Sequence, residues 1–543
     1  MPPGVRTDFA PRPMTVPQLL AEVAARQPDA HFVEYYDEWV TYGQFVAQVR
    51  QIAGALWRAG IGHGDVVALY LPNTLWHLRY FFGILATRAA ATHLSPLDAP
   101  AELLHKMRDS GARMLVTISA EPFRTRAIQL AEATGVKVVM CDDPIALEGA
   151  DHRVPAGLTD HVDFVAGADE APLIPEGAGP GDLALLQYTG GTTGVTKAAM
   201  LTQGNLSASA QSFVAFYGHE DQSGPGRKVL TYSPLSHILG LSTHMLRRMW
   251  EGATLHLRQR FNAEEAVDLI RRHKINSLGG VPTMWLAMTQ VPGIKRADLE
   301  SLMFAGTGGA PLAPELYQRV YELTGLRLRG GYGLTETSPA GTQIPPDVPE
   351  ECRDTIGVPL PGVDVRIVAV DDPRRVLGVD EVGEIAIRGP NVTAGYWNKP
   401  EETEKAFCDG WLLTGDIGRM DRLGFFYIVD RKKDMVVSSG FNVYPVAVEN
   451  AITRHPDVIE AVAIGVPDDY RGESVKAFVV QRPGSTPLRL EDLNTFLRDY
   501  LGPQELPRAL EIRADIPRTP VGKASRKALR DEEAARRAKA EGR

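Results

Sequence analysis

The sequence predicts an α/β protein: a large N-terminal domain of mostly parallel sheets covered by helices, then a small α+β domain. Three observations carry this. Strand-like and helix-like stretches alternate between residues 65 and 140, as parallel sheets covered on both faces require. A glycine- and threonine-rich run, Tyr188–Lys197 (YTGGTTGVTK), follows the buried-strand pattern Leu183–Gln187 and precedes a stretch from Met200 that reads as helix. After Asp434 the pattern changes to two strand-like runs and one amphipathic helix. At 543 residues the chain is too long for a single core.

Taken in order, Thr15 caps a helix over Gln18–Arg26. His31–Tyr36 and Trp39–Thr41 read as a hairpin around Asp37-Glu38. Thr41-x-x-Gln44 is a capping box, with Val46, Val49, Ala53 and Leu56 following at helical spacing. Gly60, Gly62 and Gly64 end that helix. Asp65–Leu71 is then a strand, Thr74–Thr87 a helix and Ala112–Thr117 a strand. Glu121–Thr134 is a helix stopped by Gly135, and Val136–Met140 a strand. Asp142–Pro180, rich in Ala, Gly, Pro and Asp, reads as a long surface connection, and Thr342–Arg353 as a similar linker. Arg247 and Arg248, inside the apolar run Leu239–Trp250, read as a solvated helix end. The other reading is a site for an anionic group at the far end of a substrate. Val458–Val466 and Val475–Val480 are strands. Leu490–Tyr500 is a helix with Leu493, Phe496 and Leu497 inward, and Leu529–Arg543 a charged, frayed helix.

Composition narrows the function. Hydrophobic residues are 44% and charged residues 23%, an ordinary globular mixture, and the net charge of −9 disfavours nucleic acid. Three scattered cysteines exclude a disulfide framework and fit a reducing cytosol. The N-terminus lacks a signal-peptide pattern, and Tyr80–Ala86 is too short to span a bilayer. Asn205 and Asn391 lie in N-x-S/T sequons, which carry no meaning without secretion.

The run Tyr188–Lys197 has the chemistry of a polyphosphate cradle. Glycines let backbone amides approach an anion, hydroxyls add donors, and Lys197 adds a point charge. It is not a Walker loop, and no GxGxxG is present. It resembles the phosphate loop of the acyl-adenylate-forming enzymes: acyl-CoA synthetases, aryl-CoA ligases, luciferases and peptide-synthetase adenylation domains. Gly190 stands for that family's usual serine, Thr196 for its proline and Ala198 for its last glycine. Further motifs follow in family order: SPLSHILGL (233–241), GGVPTMW (279–285), GTGGAP (306–311), GYGLTET (331–337), GEIAIRGPNVTAGYWN (383–398), TGDIG (414–418), DRKKDM (430–435) and PRTPVGK (517–523).

The resemblance implies stacked sheets, a mobile C-terminal domain and a division at residues 1–431 and 432–543, with a hinge at Lys433. It implies ATP, Mg²⁺ and coenzyme A as cosubstrates and cofactor. Thr189, Gly190, Gly191, Thr192, Thr193, Gly194 and Lys197 would hold phosphates. Gly309, Ala310, Pro311, Gly331, Tyr332 and Gly333 would form the adenine and AMP site, with Tyr332 stacking on the base. Thr335 would bond the α-phosphate or the carboxylate, and Glu336 would hold Mg²⁺. Asp416 would bind both ribose hydroxyls, and Arg431 ribose or phosphate. Lys432 has no assigned role and reads as solvated charge. Lys523 would be the adenylation lysine, and Gly440 would leave room for the pantetheine arm of CoA. His237 would gate the acyl pocket, walled by Thr283, Met284, Trp285, Gly306 and Gly308. Ile238, Leu239 and Gly240 stand where amino-acid-activating relatives carry an aspartate, which argues against an ammonium-bearing substrate.

The implied activity is an AMP-forming acid–thiol ligase in the cytoplasm, most similar to bacterial enzymes for medium- or long-chain fatty acids. Aryl acids and dicarboxylates stay open as substrates, and a carrier protein as acceptor. Partners beyond the acid and CoA, a homodimer or a weak membrane-surface contact, stay open too.

Overall fold

The computed structural model describes residues 8–143, 154–155, 157–189, 196–217, 225–308, 314–349, 352, 354–438, 441–468, 471–518 and 524–541. The chain forms two compact units, residues 1–365 with 387–412, and residues 366–386 with 413–543.

Two sheets organise the first unit. One runs Thr159–Asp160, Lys137–Cys141, Met114–Ile118, Val66–Leu69, Ala90–His93, Leu183–Thr189, Lys197–Thr202, parallel except for the last pair. The other runs Phe304–Thr307, Ser277–Gly280, Lys228–Thr231, Thr254–Leu257, His31–Tyr35, Glu38–Thr41, again parallel except at its final hairpin. Strands such as Val66–Leu69 are buried throughout, which is why they read as continuous apolar runs. The helix Leu75–Ala86 is nearly all buried and is capped by Thr74, whose hydroxyl accepts from the His77 amide. Phe81 and Phe82 are wholly buried there, each worth about 2 kcal/mol of apolar transfer. The helices Val16–Arg26 and Tyr42–Arg58 open with the capping boxes Thr15/Gln18 and Thr41/Gln44.

The second unit packs the helices Pro445–Ile452 and Leu490–Leu497 against a sheet of Phe441–Val443, Val436–Ser438, Gly472–Gln481 and Val458–Asp468, with Ala509–Ile512 beside Gly472–Gln481. A further sheet places Asp364–Val368, Gly383–Arg388, Trp411–Met420 and Phe407–Cys408 in that order, with Phe426–Arg431 pairing Trp411–Met420. The fold class is α/β with a smaller α+β unit, as the sequence predicts.

Four readings need correction. Lys197–Thr202 is a strand and the helix begins only at Gln203, because antiparallel pairing with Leu183–Thr189 overrides local preference. The connection before residue 180 contains the strand Thr159–Asp160 and the helix His161–Val165. The linker from Thr342 opens with a strand, Thr342–Gln343, paired to Gly331–Tyr332. Arg247 and Arg248 are buried, not solvated. The elements Ala90–His93 and Pro100–Ser110 are additional to the predicted set. No described helix is long and apolar enough to cross a membrane.

Candidate active site

Gly190, Gly191, Thr192, Thr193 and Gly194 lie outside the described residues, but the flanks of their loop are set. Thr189 ends one strand and Lys197 opens the next, as antiparallel register partners, and the strand of Lys197 is the edge of its sheet. Tyr188 does not face the loop: its hydroxyl donates to Asp109 Oδ2 at 2.8 Å. Thr196 donates to Glu102. The Lys197 ammonium pairs with Glu402 and lies 5.4 Å from the ring centroid of Tyr396.

The GYGLTET segment is shaped by its glycines. A Cβ on Gly331 would stand 2.3 Å from Gln343 Oε1, and one on Gly333 only 1.5 Å from the Pro339 carbonyl oxygen. Tyr332 is half-buried beside that tight turn, and Thr335–Thr337 forms a single 3-10 turn. Glu336 is half-buried, and its Oε1 accepts from the Tyr396 hydroxyl at 2.8 Å. Burial, then the Glu336 charge, push the Tyr396 phenol well above its ordinary value, so it stays a donor. The donor set fits Mg²⁺: a carboxylate and a neighbouring hydroxyl are hard oxygen ligands, and Mg²⁺ typically takes one or two carboxylates plus substrate phosphates. Among the described residues no group of three or more candidate ligands occurs.

Residues 391–397 join these two segments. Asn391 Nδ2 donates to the carbonyls of Thr337 and Ala340 at 2.8 and 2.6 Å. The Thr393 amide donates to the Glu336 carbonyl at 2.7 Å, and its hydroxyl to the Met200 carbonyl at 2.7 Å. The Met200 amide donates to Gly395 O, and the Trp397 amide to Ala198 O. Asn205 holds the same segment through Pro390 O and Val392 O. The segment thus ties the Lys197–Thr202 strand to the turn carrying Thr335 and Glu336. Sequence reasoning missed Asn391, Thr393 and Tyr396; both asparagines read only as sequons.

The residues read as the acyl wall divide. Trp285 is fully buried, and its Nε1 donates to the Gly306 carbonyl at 2.8 Å. Met284 packs over Gly280, while Thr283 on the same short helix is exposed. Phe304 covers Gly306, whereas, among the described residues, a Cβ on Gly308 would meet only Leu239, at 3.7 Å. His237 is exposed, and its Nδ1 accepts from the Leu239 amide at 3.3 Å. His244 packs over Gly279, and burial followed by Arg248 and Arg247 lowers its pKa to about 3. Arg247 and Arg248 are paired with buried Glu251 at 2.7 and 2.8 Å, and Arg248 also donates to Ser277 Oγ. Glu251 falls at i+4 and i+3 from them, which was the sequence signal for an internal ion triad. Gly309, Ala310 and Pro311 lie outside the described residues.

In the second unit, Asp416 and Arg431 are register partners on neighbouring strands, and Arg431 Nε lies 3.0 Å from Asp416 Oδ1. Asp416 is nearly buried and Arg431 is exposed. Lys432 is not free surface charge: its ammonium meets the buried Glu384 carboxylate at 2.7 Å. Lys433 is exposed, and partial desolvation, opposed by Asp434, lowers its pKa. Asp430 and Asp434 on either side face Arg526 at 3.6 and 3.4 Å. Lys523 and Gly440 lie outside the described residues.

Comparison with known proteins agrees with this motif order. Residues 20–397 match the AMP-binding enzyme family, and residues 447–523 match the AMP-binding enzyme C-terminal domain. A long-chain-fatty-acid–CoA ligase of Bacillus subtilis strain 168 is 34% identical, covering 96% of this chain and 94% of that one. A feruloyl-CoA synthase of an Amycolatopsis species is also 34% identical, over 92% of this chain and 95% of its own. The crystal structure of ATP-bound MatB from Rhodopseudomonas palustris is 28% identical, with a TM-score of 0.83, over 96% of this chain and 99% of that one. The chain therefore belongs to the AMP-binding enzyme family.

Proposed function

We propose that the chain is an AMP-forming acyl-CoA ligase acting on a medium- or long-chain fatty acid. The observation that carries the reading is end-to-end similarity to a long-chain-fatty-acid–CoA ligase, with the phosphate-loop, GYGLTET and TGD motifs all present. In the first half-reaction a carboxylate oxygen of the acid attacks the α-phosphorus of ATP and pyrophosphate leaves. Thr192, Thr193 and Lys197 hold the departing phosphates. Thr189, Gly190, Gly191 and Gly194 shape their cradle. Tyr332 stacks on adenine, with Gly309, Ala310, Pro311, Gly331 and Gly333 forming the surrounding wall. Asp416 accepts from the ribose hydroxyls, and Arg431, already at its side, orients it.

Thr335 donates to the α-phosphate, and Lys523 bridges carboxylate and phosphate as charge shifts between them. Glu336 would hold magnesium, which when bound would supply a positive charge to screen the repulsion between the two anionic reactants. In the second half-reaction the domain of residues 432–543 pivots at Lys433, Lys523 withdraws, and the CoA thiol reaches the carbonyl past Gly440, releasing AMP. His237 gates the acyl pocket, and Thr283, Met284, Trp285, Gly306 and Gly308 line it. The commitment of Arg247 and Arg248 to Glu251 favours an acid with an apolar far end over a dicarboxylate. The feruloyl-CoA synthase relative keeps an aryl acid as the second reading. A cytoplasmic site, self-association and membrane-surface contact belong to the same proposal; fractionation and light scattering check them.

The test is AMP and thioester formation from MgATP, with and without CoA, across acetate to palmitate, benzoates and short dicarboxylates. CoA-dependent thioester with the longer acids is expected. Acyl-AMP that accumulates regardless of CoA would move the acceptor to a carrier protein. Lys523→Ala should abolish pyrophosphate release yet spare thioester formation from supplied acyl-AMP; equal loss in both steps would remove Lys523 from its role.

A further inference from the structure

Tyr396 lies between the two side chains assigned to the triphosphate and its metal. Its hydroxyl donates to Glu336 Oε1 at 2.8 Å. Its ring centroid is 5.4 Å from the Lys197 ammonium. The backbone around it is fixed on both sides: the Thr393 amide bonds the Glu336 carbonyl, and the Trp397 amide bonds Ala198 O, next to Lys197. The Tyr396 amide itself donates to Thr403 Oγ1 at 2.9 Å. The backbone that carries the ring is therefore held by these three hydrogen bonds.

Without this ring, only the pairing of Lys197 with Glu402 would hold the ammonium away from the Glu336 carboxylate. A direct ion pair between them would compete with Glu402 for the ammonium and with the metal for the carboxylate. The aromatic face gives the ammonium a neutral surface to rest on, and Glu402 supplies its counter-charge. The phenol hydroxyl occupies a single oxygen of Glu336, and the second oxygen makes no hydrogen bond to a described residue.

We propose that Tyr396 is a positioning residue for the metal–phosphate site: it separates Lys197 from Glu336, fixes the rotamer of Glu336 through one oxygen, and presents the other to a divalent cation. The inference rests on reading the site as one for MgATP. It adds a residue whose effect runs through metal affinity, not through contact with the reacting atoms. A carboxylate anchored by a positioned donor loses less rotamer freedom when a cation binds, so removing the donor weakens metal affinity first.

The experiment uses the full-length protein and Tyr396→Phe, which keeps the ring and its packing. Mn²⁺ binding in the presence of ATP, with no acid added, is followed by electron paramagnetic resonance, and metal-free ATP binding by calorimetry. The expected result is a roughly tenfold weaker Mn²⁺ affinity, the low end of the cost of losing a partner of a metal-ligating carboxylate, with metal-free ATP affinity unchanged. Tyr396→Leu, which removes the ring as well, should in addition weaken metal-free ATP binding as Lys197 collapses onto Glu336. Thioester formation from supplied acyl-AMP should survive both changes. Wild-type Mn²⁺ affinity in Tyr396→Phe overturns this role alone, since the wild-type titration still reports the metal site. Wild-type protein that binds ATP with no metal dependence overturns both this role and the MgATP reading. Equal loss of both half-reactions with a lowered melting temperature also overturns it, by making the tyrosine merely structural.

Discussion

Arg526 grips Glu449 with two hydrogen bonds, Nε to Oε1 at 3.0 Å and Nη2 to Oε2 at 2.6 Å. The same guanidinium faces Asp434 and Asp430. It thereby fastens the start of the C-terminal helix to the segment flanking Lys433. Burial, opposed by Arg526, raises the pKa of Glu449, so the carboxylate depends on its partner to stay ionised. Arg526→Met should destabilise the second unit by about 2–3 kcal/mol, the cost of leaving a half-buried carboxylate without its charged hydrogen-bond partner. Urea denaturation followed in that unit checks it, and Arg526→Lys should recover only part of the loss, because a lysine cannot make the fork.

Trp285 anchors Gly306 through its indole donor. Trp285→Phe keeps most of the apolar volume and removes that donor. A loss of about 1–2 kcal/mol in stability is expected. The KM for the acid should rise more than kcat falls, because the strand end at Gly306 loosens while the phosphate machinery is untouched. Steady-state kinetics with one acid decide this.

Gly333 has no room for a side chain beside the Pro339 carbonyl. Gly333→Ala must push the backbone of the GYGLTET turn aside. A displacement near 1 Å in a positioning element costs roughly a hundredfold in rate, and pyrophosphate release should fall by about that factor. Retention of full activity would mean that the turn moves without carrying Tyr332 and Thr335 with it.

Glu402 competes with phosphate for Lys197. Glu402→Gln removes the competing charge and should tighten ATP binding by about two- to fivefold, the modest scale of a solvent-screened ion pair. Calorimetry at low and moderate salt should show the gain shrinking as salt rises.

His77 and His93 meet Nε2 to Nε2 at 3.1 Å in the core, and His93 Nδ1 faces Gln187 Oε1 at 3.0 Å. Burial lowers His93 to about 4 against a Gln187 bond that raises it. The unfolded chain, with its imidazole near 6.5, takes up a proton first as pH falls. Stability present above pH 6.5 is therefore lost progressively between pH 6.5 and about 4, by about 3 kcal/mol for this group. Denaturation at pH 7, 5.5 and 4.5 should trace that decline, and His93→Gln should make it shallower by this group's share, the other buried histidines such as His244 keeping the rest.

The glycine motifs were legible because each answers a local demand that a sequence can state. Gly331 and Gly333 sit where a Cβ would collide with backbone or with Gln343, and the two capping boxes close within three residues. Tyr396 was not legible, because its partner Glu336 lies 60 positions away and no period connects them. Arg247 and Arg248 were misread because two arginines in an apolar run usually mark a solvated edge. Glu251, one turn on, reverses that inside the protein. Met200–Thr202 was misread as the start of the helix because Met-Leu runs straight into a stretch of good helical propensity, and only pairing with Leu183–Thr189 settles its state.

The strand His31–Tyr35 finds its parallel partner in Thr254–Leu257, with Val33 opposite Leu255. During synthesis at about 5–20 residues per second, the amino-terminal hairpin leaves the ribosome roughly ten to forty seconds before the strand that completes it. For that interval its edge is an open template for another chain. Val40, Phe32 and Val33, buried in the finished sheet, are then uncovered. Holding that nascent edge is a job for a chaperone, and yield on expression should depend on its supply more than the stability of the finished protein would suggest.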